Sequence, residues 1–163
     1  DGEASAPAPP EHHGGRTVMA RITPNQAIRN AIEAELAASR FYRLLGESTD
    51  DPAASGFLFE LAELEQEHAK AIEQEGEKLV TGPIAERADS PVEMVETLPE
   101  WRFAEGITYA QALGIAYEAE LQASMYYDAF ADNLEGHPAA FFRALAKTEE
   151  EHAKVVDARR KAL

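Results

Sequence analysis

Apolar residues recur every three to four positions along four stretches of this chain, the period of an amphipathic helix. With about 100° of rotation per residue, Ile28, Ile32, Glu35, Ser39 and Tyr42 fall on one stripe of the first stretch. Leu58, Leu61, Glu65, His68 and Ile72 do so in the second. Leu113, Tyr117, Glu120, Ser124 and Tyr127 line the third, and Phe142, Leu145, Glu149, His152 and Val156 the fourth. Prolines mark the starts. Thr23-Pro24, Asp51-Pro52 and His137-Pro138 each put a proline where the missing N–H costs nothing, and the first two precede it with a good N-cap. These signals predict helices over 24–45, 52–79, 108–133 and 138–163, with stops near Gly46, Thr81-Gly82-Pro83 and Gly136.

Residues 1–20, rich in Pro, Gly and Ala without periodicity, read as a disordered tail in which His12 and His13 are solvated. Residues 21–163 then form one domain, a length sufficient for a proper core. The first and second helices are joined by a short link, as are the third and fourth, so each pair should be an antiparallel hairpin. The link between the hairpins, about 80–107, is long and carries a short helical signal from Ser90 to Leu98. Two hairpins and one long crossover make an all-α, ferritin-like four-helix bundle. Trp101 in that crossover reads as a packing anchor.

The two hairpins are copies. AIEAELAASRFY over 31–42 matches AYEAELQASMYY over 116–127, and FLFELAELEQEHAKAI over 57–72 matches FFRALAKTEEEHAKVV over 141–156. Alanine and glutamate account for much of the likeness, but the repeated Glu-x-x-His-Ala-Lys does not reduce to helix composition.

Each stripe is apolar except at its centre, where a glutamate, or a glutamate and a histidine, points inward. Glu33, Glu118, Glu67 and Glu151 are rotated about 200° away and read as solvated surface. Four converging carboxylates would repel by about 3–4 kcal/mol per close pair at an effective dielectric near 20. The lysines and arginines lie mostly off the stripes, so cations must come from elsewhere. One Glu from each of two helices and Glu-x-x-His from each of the others is the donor set of di-iron and di-manganese carboxylate centres. Glu35, Glu65, His68, Glu120, Glu149 and His152 are therefore the expected ligands of two metals. By the internal symmetry Glu65 and Glu149 would bridge, Glu35 and Glu120 would be terminal, and each histidine would cap one metal. Oxygen donors with one imidazole per metal favour iron, with manganese possible.

Composition narrows the rest. Thirty acidic against fifteen basic residues give a net charge of −15, which repels nucleic acid and anionic membrane. The absence of cysteine removes disulfides, thiolate zinc sites and iron–sulfur clusters. No run of 18 apolar residues spans a bilayer, and residues 1–15 lack the hydrophobic stretch of a secretory signal, so a cytoplasmic location is expected.

With Glu35-x-x-Ala38-x-x-x-Tyr42, Glu65-x-x-His68, Glu120 and Glu149-x-x-His152 in hand, the chain resembles the rubrerythrin-like branch of the ferritin-like superfamily over about residues 24–160. The resemblance implies iron chemistry with O2 or hydrogen peroxide. Two features depart from it: no rubredoxin-type electron donor can be built without cysteine, and position 123 is Ala where a further glutamate is common. Both favour Fe(II) oxidation over rubrerythrin-like peroxide reduction fed by a separate electron donor. Storage without turnover, or a metal-free structural bundle, are the competing classes. Tyr42 and Tyr127 lie two turns beyond Glu35 and Glu120, where they could hydrogen-bond ligands, be oxidised or simply pack. A homo-oligomer is expected.

Overall fold

A computed structural model describes residues 21–89 and 106–163. The expected tail over 1–20, the short helix from Ser90 to Leu98 and Trp101 lie outside the described residues. The described chain is all-α: α1 is Pro24–Ser48, α2 Pro52–Leu79, α3 Tyr109–Asn133 and α4 Gly136–Lys161. No described helix is long and apolar enough to cross a membrane.

The helix starts follow the sequence signals. Thr23 caps α1 through Gln26 N–H at 3.2 Å. Asp51 caps α2 through the N–H groups of Ala53 and Ala54. Thr108 and Gln111 form a reciprocal capping box at α3. Two boundaries move. Helix α1 runs on through Gly46 to Ser48, because Ser48 and Ser55 hydroxyls take the carbonyls of Leu45 and Gly46 that would otherwise be orphaned. Helix α4 begins at Gly136, whose φ of 63° suits glycine, so Pro138 is the third helical residue rather than the first. A proline there still costs no hydrogen bond, since first-turn N–H groups have no helical partner.

Helix α1 packs along α2, and α3 along α4, as two hairpins. The start of α3 returns to the end of the bundle where α2 begins: Asp51 Oδ2 accepts from Tyr109 N–H at 2.9 Å, and Thr49 donates to the Ile107 carbonyl. Helices α2 and α3 therefore start at the same end of the bundle and run parallel. The first part of the crossover is strapped to α1. Asn25 binds the Pro83 carbonyl at 2.7 Å, Arg29 the Ala85 carbonyl, Gln26 the Arg87 carbonyl and Asn30 the Asp89 carboxylate.

The core has two parts. One gathers Phe41, Leu45, Leu58, Leu61, Leu113 and Ala116; the other gathers Ile28, Ile32, Ile72, Tyr127 and Phe142. Each fully buried aliphatic side chain contributes about 1.5–3 kcal/mol. In every helix the inward glutamate lies between a residue of one cluster and a residue of the other: Ile32 and Ala38 flank Glu35, and Ala62 and Ala69 flank Glu65. The carboxylates thus sit at mid-bundle with apolar packing above and below.

Candidate metal centre

Glu35, Glu65, Glu120 and Glu149 are all buried, at 2–4% exposure. Glu118, Glu67 and Glu151 are exposed, and Glu33 is half-buried beside Arg29. The rotational phase read from the sequence is the phase the helices adopt. His68 and His152 are partly exposed, with ring planes stacked 5.0 Å apart and 8° from parallel. The centre is sealed by its carboxylates and reaches towards solvent at its histidines.

Two groups of donors converge. Glu35, Glu65 and His68 offer atoms within 4.8 Å of one another, and so do His68, Glu149 and His152. In the first group His68 Nδ1 lies 3.1 Å from Glu65 Oε2 and 3.7 Å from Glu35 Oε2. In the second half, His152 Nδ1 is 3.6 Å from Glu120 and 3.7 Å from Glu149, both too long for hydrogen bonds. Both Glu120 oxygens and His152 Nδ1 are consequently buried without a hydrogen bond. Buried polar atoms without partners are rare and costly.

Titration reflects this crowding. Burial, with the neighbouring Glu35 charge, pushes Glu65 up to about 9, against the opposing pull of His68. Burial likewise raises Glu149 to about 7. Burial also works to raise Glu35, but hydrogen bonds from His68, Glu65 and Tyr127 outweigh it and hold this carboxyl below its usual value. Burial pulls His68 down, yet its two carboxylate neighbours lift it to about 10. The neighbouring Glu120 and Glu149 carboxylates lift His152 to about 10, against the opposing pull of burial. Protons thus supply the positive charge that the carboxylates demand. Divalent cations would do the same with better geometry: hard oxygen donors, one imidazole in each half and orphaned lone pairs all fit such ions.

Tyr127, fully buried, donates to Glu35 Oε1. Burial and the Glu35 charge hold its hydroxyl well above the usual range, so it stays a donor. Tyr42 occupies the equivalent place in the first half; burial and the Glu120 charge raise it in the same way. Ser39 donates to the Ala62 carbonyl at 2.7 Å and ties α1 to α2 beside the centre. Tyr117, expected on the inner stripe, is only half-buried and lies under the Arg160 guanidinium at 4.8 Å.

Two residues of this neighbourhood were not anticipated. Asn30 is buried and anchors Asp89 of the crossover; its signal, a polar residue one helical turn before Ala34 on the inner side, is weak. Tyr126 packs against Tyr127, and the repeat alignment, which pairs it with Phe41, contained that information.

A family model described as Rubrerythrin matches residues 26–109 and 111–162. Among solved structures, a hypothetical protein from Pyrococcus furiosus is similar in fold, with a TM-score of 0.58 and 21% identity over 88% of this chain and 92% of that one. No curated protein matches the chain.

Proposed function

Since the chain belongs to the rubrerythrin family, we propose that it is a non-haem di-iron protein that oxidises Fe(II) with O2 or hydrogen peroxide. The observation that carries this is the buried, duplicated donor set with its orphaned Glu120 oxygens and His152 nitrogen. Glu35, Glu65, His68, Glu120, Glu149 and His152 would hold the two irons. Two Fe(II) supply two electrons, enough to take O2 to hydrogen peroxide, or hydrogen peroxide to two waters, with two protons in either case.

The chain's own residues set the conditions. Four carboxylates favour the higher charge of Fe(III), so oxidation is drawn forward by electrostatics. The apolar clusters on either side exclude water and strengthen that field. Tyr127 fixes Glu35 through its hydrogen bond, which keeps one oxygen oriented while the other is available. The partly exposed His68–His152 edge offers Fe(II) and oxidant a way in.

Fe(II) added to metal-free protein in air is expected to oxidise faster than in buffer, saturating at about two irons per chain. His68→Ala with His152→Ala should abolish the acceleration, and Glu35→Ala should remove metal, whereas Glu33→Ala should change neither. Equal rates in the wild type and the double variant would remove the enzymatic reading and leave binding without turnover.

A further inference from the structure

The internal repeat gives the two halves of the centre the same donors: Glu35, Glu65 and His68 correspond to Glu120, Glu149 and His152. Donor chemistry alone would make two equal metal positions. What surrounds the donors is not equal. In the first half His68 Nδ1 is hydrogen-bonded to Glu65 Oε2 at 3.1 Å, and Tyr127 donates to Glu35 Oε1. In the second half His152 Nδ1 stands 3.6 Å from Glu120 Oε2 and 3.7 Å from Glu149 Oε2, too far to hydrogen-bond either. Tyr42, which the repeat pairs with Tyr127, makes no bond to Glu120: both oxygens of that carboxylate are buried without a hydrogen bond, as is His152 Nδ1. Two donors held about 2.1 Å from one ion lie roughly 3.0–3.6 Å apart when the angle between them is about 90–120°. The second half stands near the upper edge of that range with no contact to undo. In the first half an ion must part His68 from Glu65, and one oxygen of Glu35 is already engaged.

We propose that the two positions load in order, and that the one formed by Glu120, Glu149 and His152 takes the first divalent cation. The inference rests on the reading of the centre as a two-metal site. What differs between the halves is what the ion replaces. In the second half it gives both Glu120 oxygens and His152 Nδ1 a partner that the protein does not supply. In the first it exchanges one satisfied arrangement for another. Leaving a buried polar atom unpaired costs more than an ordinary hydrogen bond contributes, so the same ion gains more in the second half. The two dissociation constants should differ by about tenfold or more. The position formed by Glu35, Glu65 and His68 is then the one that exchanges its ion with solution.

The test uses the full-length, metal-free chain with nitrogen-15 in its histidine rings, titrated at constant pH with Zn(II), a divalent ion that O2 leaves unchanged. Ring nitrogens report coordination directly by NMR, and His68→Ala and His152→Ala assign the two sets of signals. Should either variant fail to fold, through-bond correlation from ring to backbone assigns them in the unsubstituted chain. Up to one equivalent, the His152 ring should move to its metal-bound position while the His68 ring keeps its metal-free one. His68 should follow during the second equivalent, and competition with a fluorescent chelator should separate the two dissociation constants by about tenfold or more. Movement of His68 first, or of both rings together in proportion to the zinc added, overturns the order and leaves the two-metal reading standing. If neither ring moves by two equivalents, whatever the other histidines do, the order and the two-metal reading both fall.

Discussion

Both oxygens of Glu120 are buried without a hydrogen bond, so in the metal-free chain this side chain opposes folding. Glu120→Gln keeps the shape, removes the charge and offers an N–H to its carboxylate neighbour. It should stabilise the metal-free protein by about 1–3 kcal/mol and abolish the stabilisation conferred by Fe(II) or Mn(II). Thermal melts of both proteins with and without metal check the reversal of sign; a lower melting point for the metal-free variant would mean that Glu120 is satisfied structurally. The inward, buried positions of the four glutamates were legible in the sequence for this same reason. A glutamate at the centre of an apolar stripe violates the pattern around it, and the violation occurs four times at equivalent phase. Tyr126 violates nothing, since a tyrosine beside a tyrosine at a helix flank is ordinary; its packing against Tyr127 was legible only through its pairing with Phe41 in the repeat.

Helix ends and close approaches belong to the scale of the element. Asp51 serves two helices at once, capping α2 and accepting from the first N–H of α3. The hydrogen bond from Tyr109 leads those that hold its carboxyl below the ordinary value. A lowered carboxyl pKa gives stability that is complete above the unfolded value near 4 and is lost as pH falls through the folded value. Asp51→Ala should therefore lower the melting temperature by about 2–4 °C at pH 7, with the gap closing in acid. A gap unchanged down to pH 2 would sink the account. The two glycines of α2 should respond in opposite directions. A methyl at exposed Gly56 meets nothing, so Gly56→Ala should stabilise by about 0.5–1 kcal/mol. At Gly76 it would stand 2.6 Å from Cγ2 of buried Ile28, and overpacking of about 1–3 kcal/mol exceeds the helix gain. Denaturant melts of the two variants are the check. The cap of α2 could be read from Asp51-Pro52, but not its second role, because the Tyr109 contact spans 58 residues of chain. The end of α1 was misjudged at Gly46: the serines that extend the helix act from Ser48 and from α2, and the glycine makes room for Phe59, whose ring would stand 3.3 Å from an added Cβ, rather than terminating the helix.

At the scale of the whole molecule, the bundle is built around a charge that it does not itself neutralise. Net charge is −15, and among the described residues the four inward carboxylates are met by the His68 and His152 imidazoles and, at Glu35, by the Tyr127 hydroxyl. Without metal, protons fill the deficit: His68 and His152 are raised to about 10 and Glu65 to about 9. All three shifts are upward, so the folded metal-free chain binds more protons than the unfolded one above pH 7, and its stability must fall as pH rises towards 10. Metal ions displace these protons, and their affinity should rise over the same interval. Loading Mn(II) anaerobically at pH 7 should release on the order of three protons, two from the imidazoliums and one from Glu65, measurable with a pH indicator in weakly buffered solution. Metal at a hundredfold excess over its dissociation constant adds about 2.7 kcal/mol, or about 5–10 °C in melting temperature for a chain of this size. The metal-free melting temperature should decline between pH 7 and 10 while the loaded protein holds nearly level, so the gap between the two widens with pH. Parallel curves, or loading without proton release, would show that the carboxylates are neutralised by something other than exchangeable protons and metal.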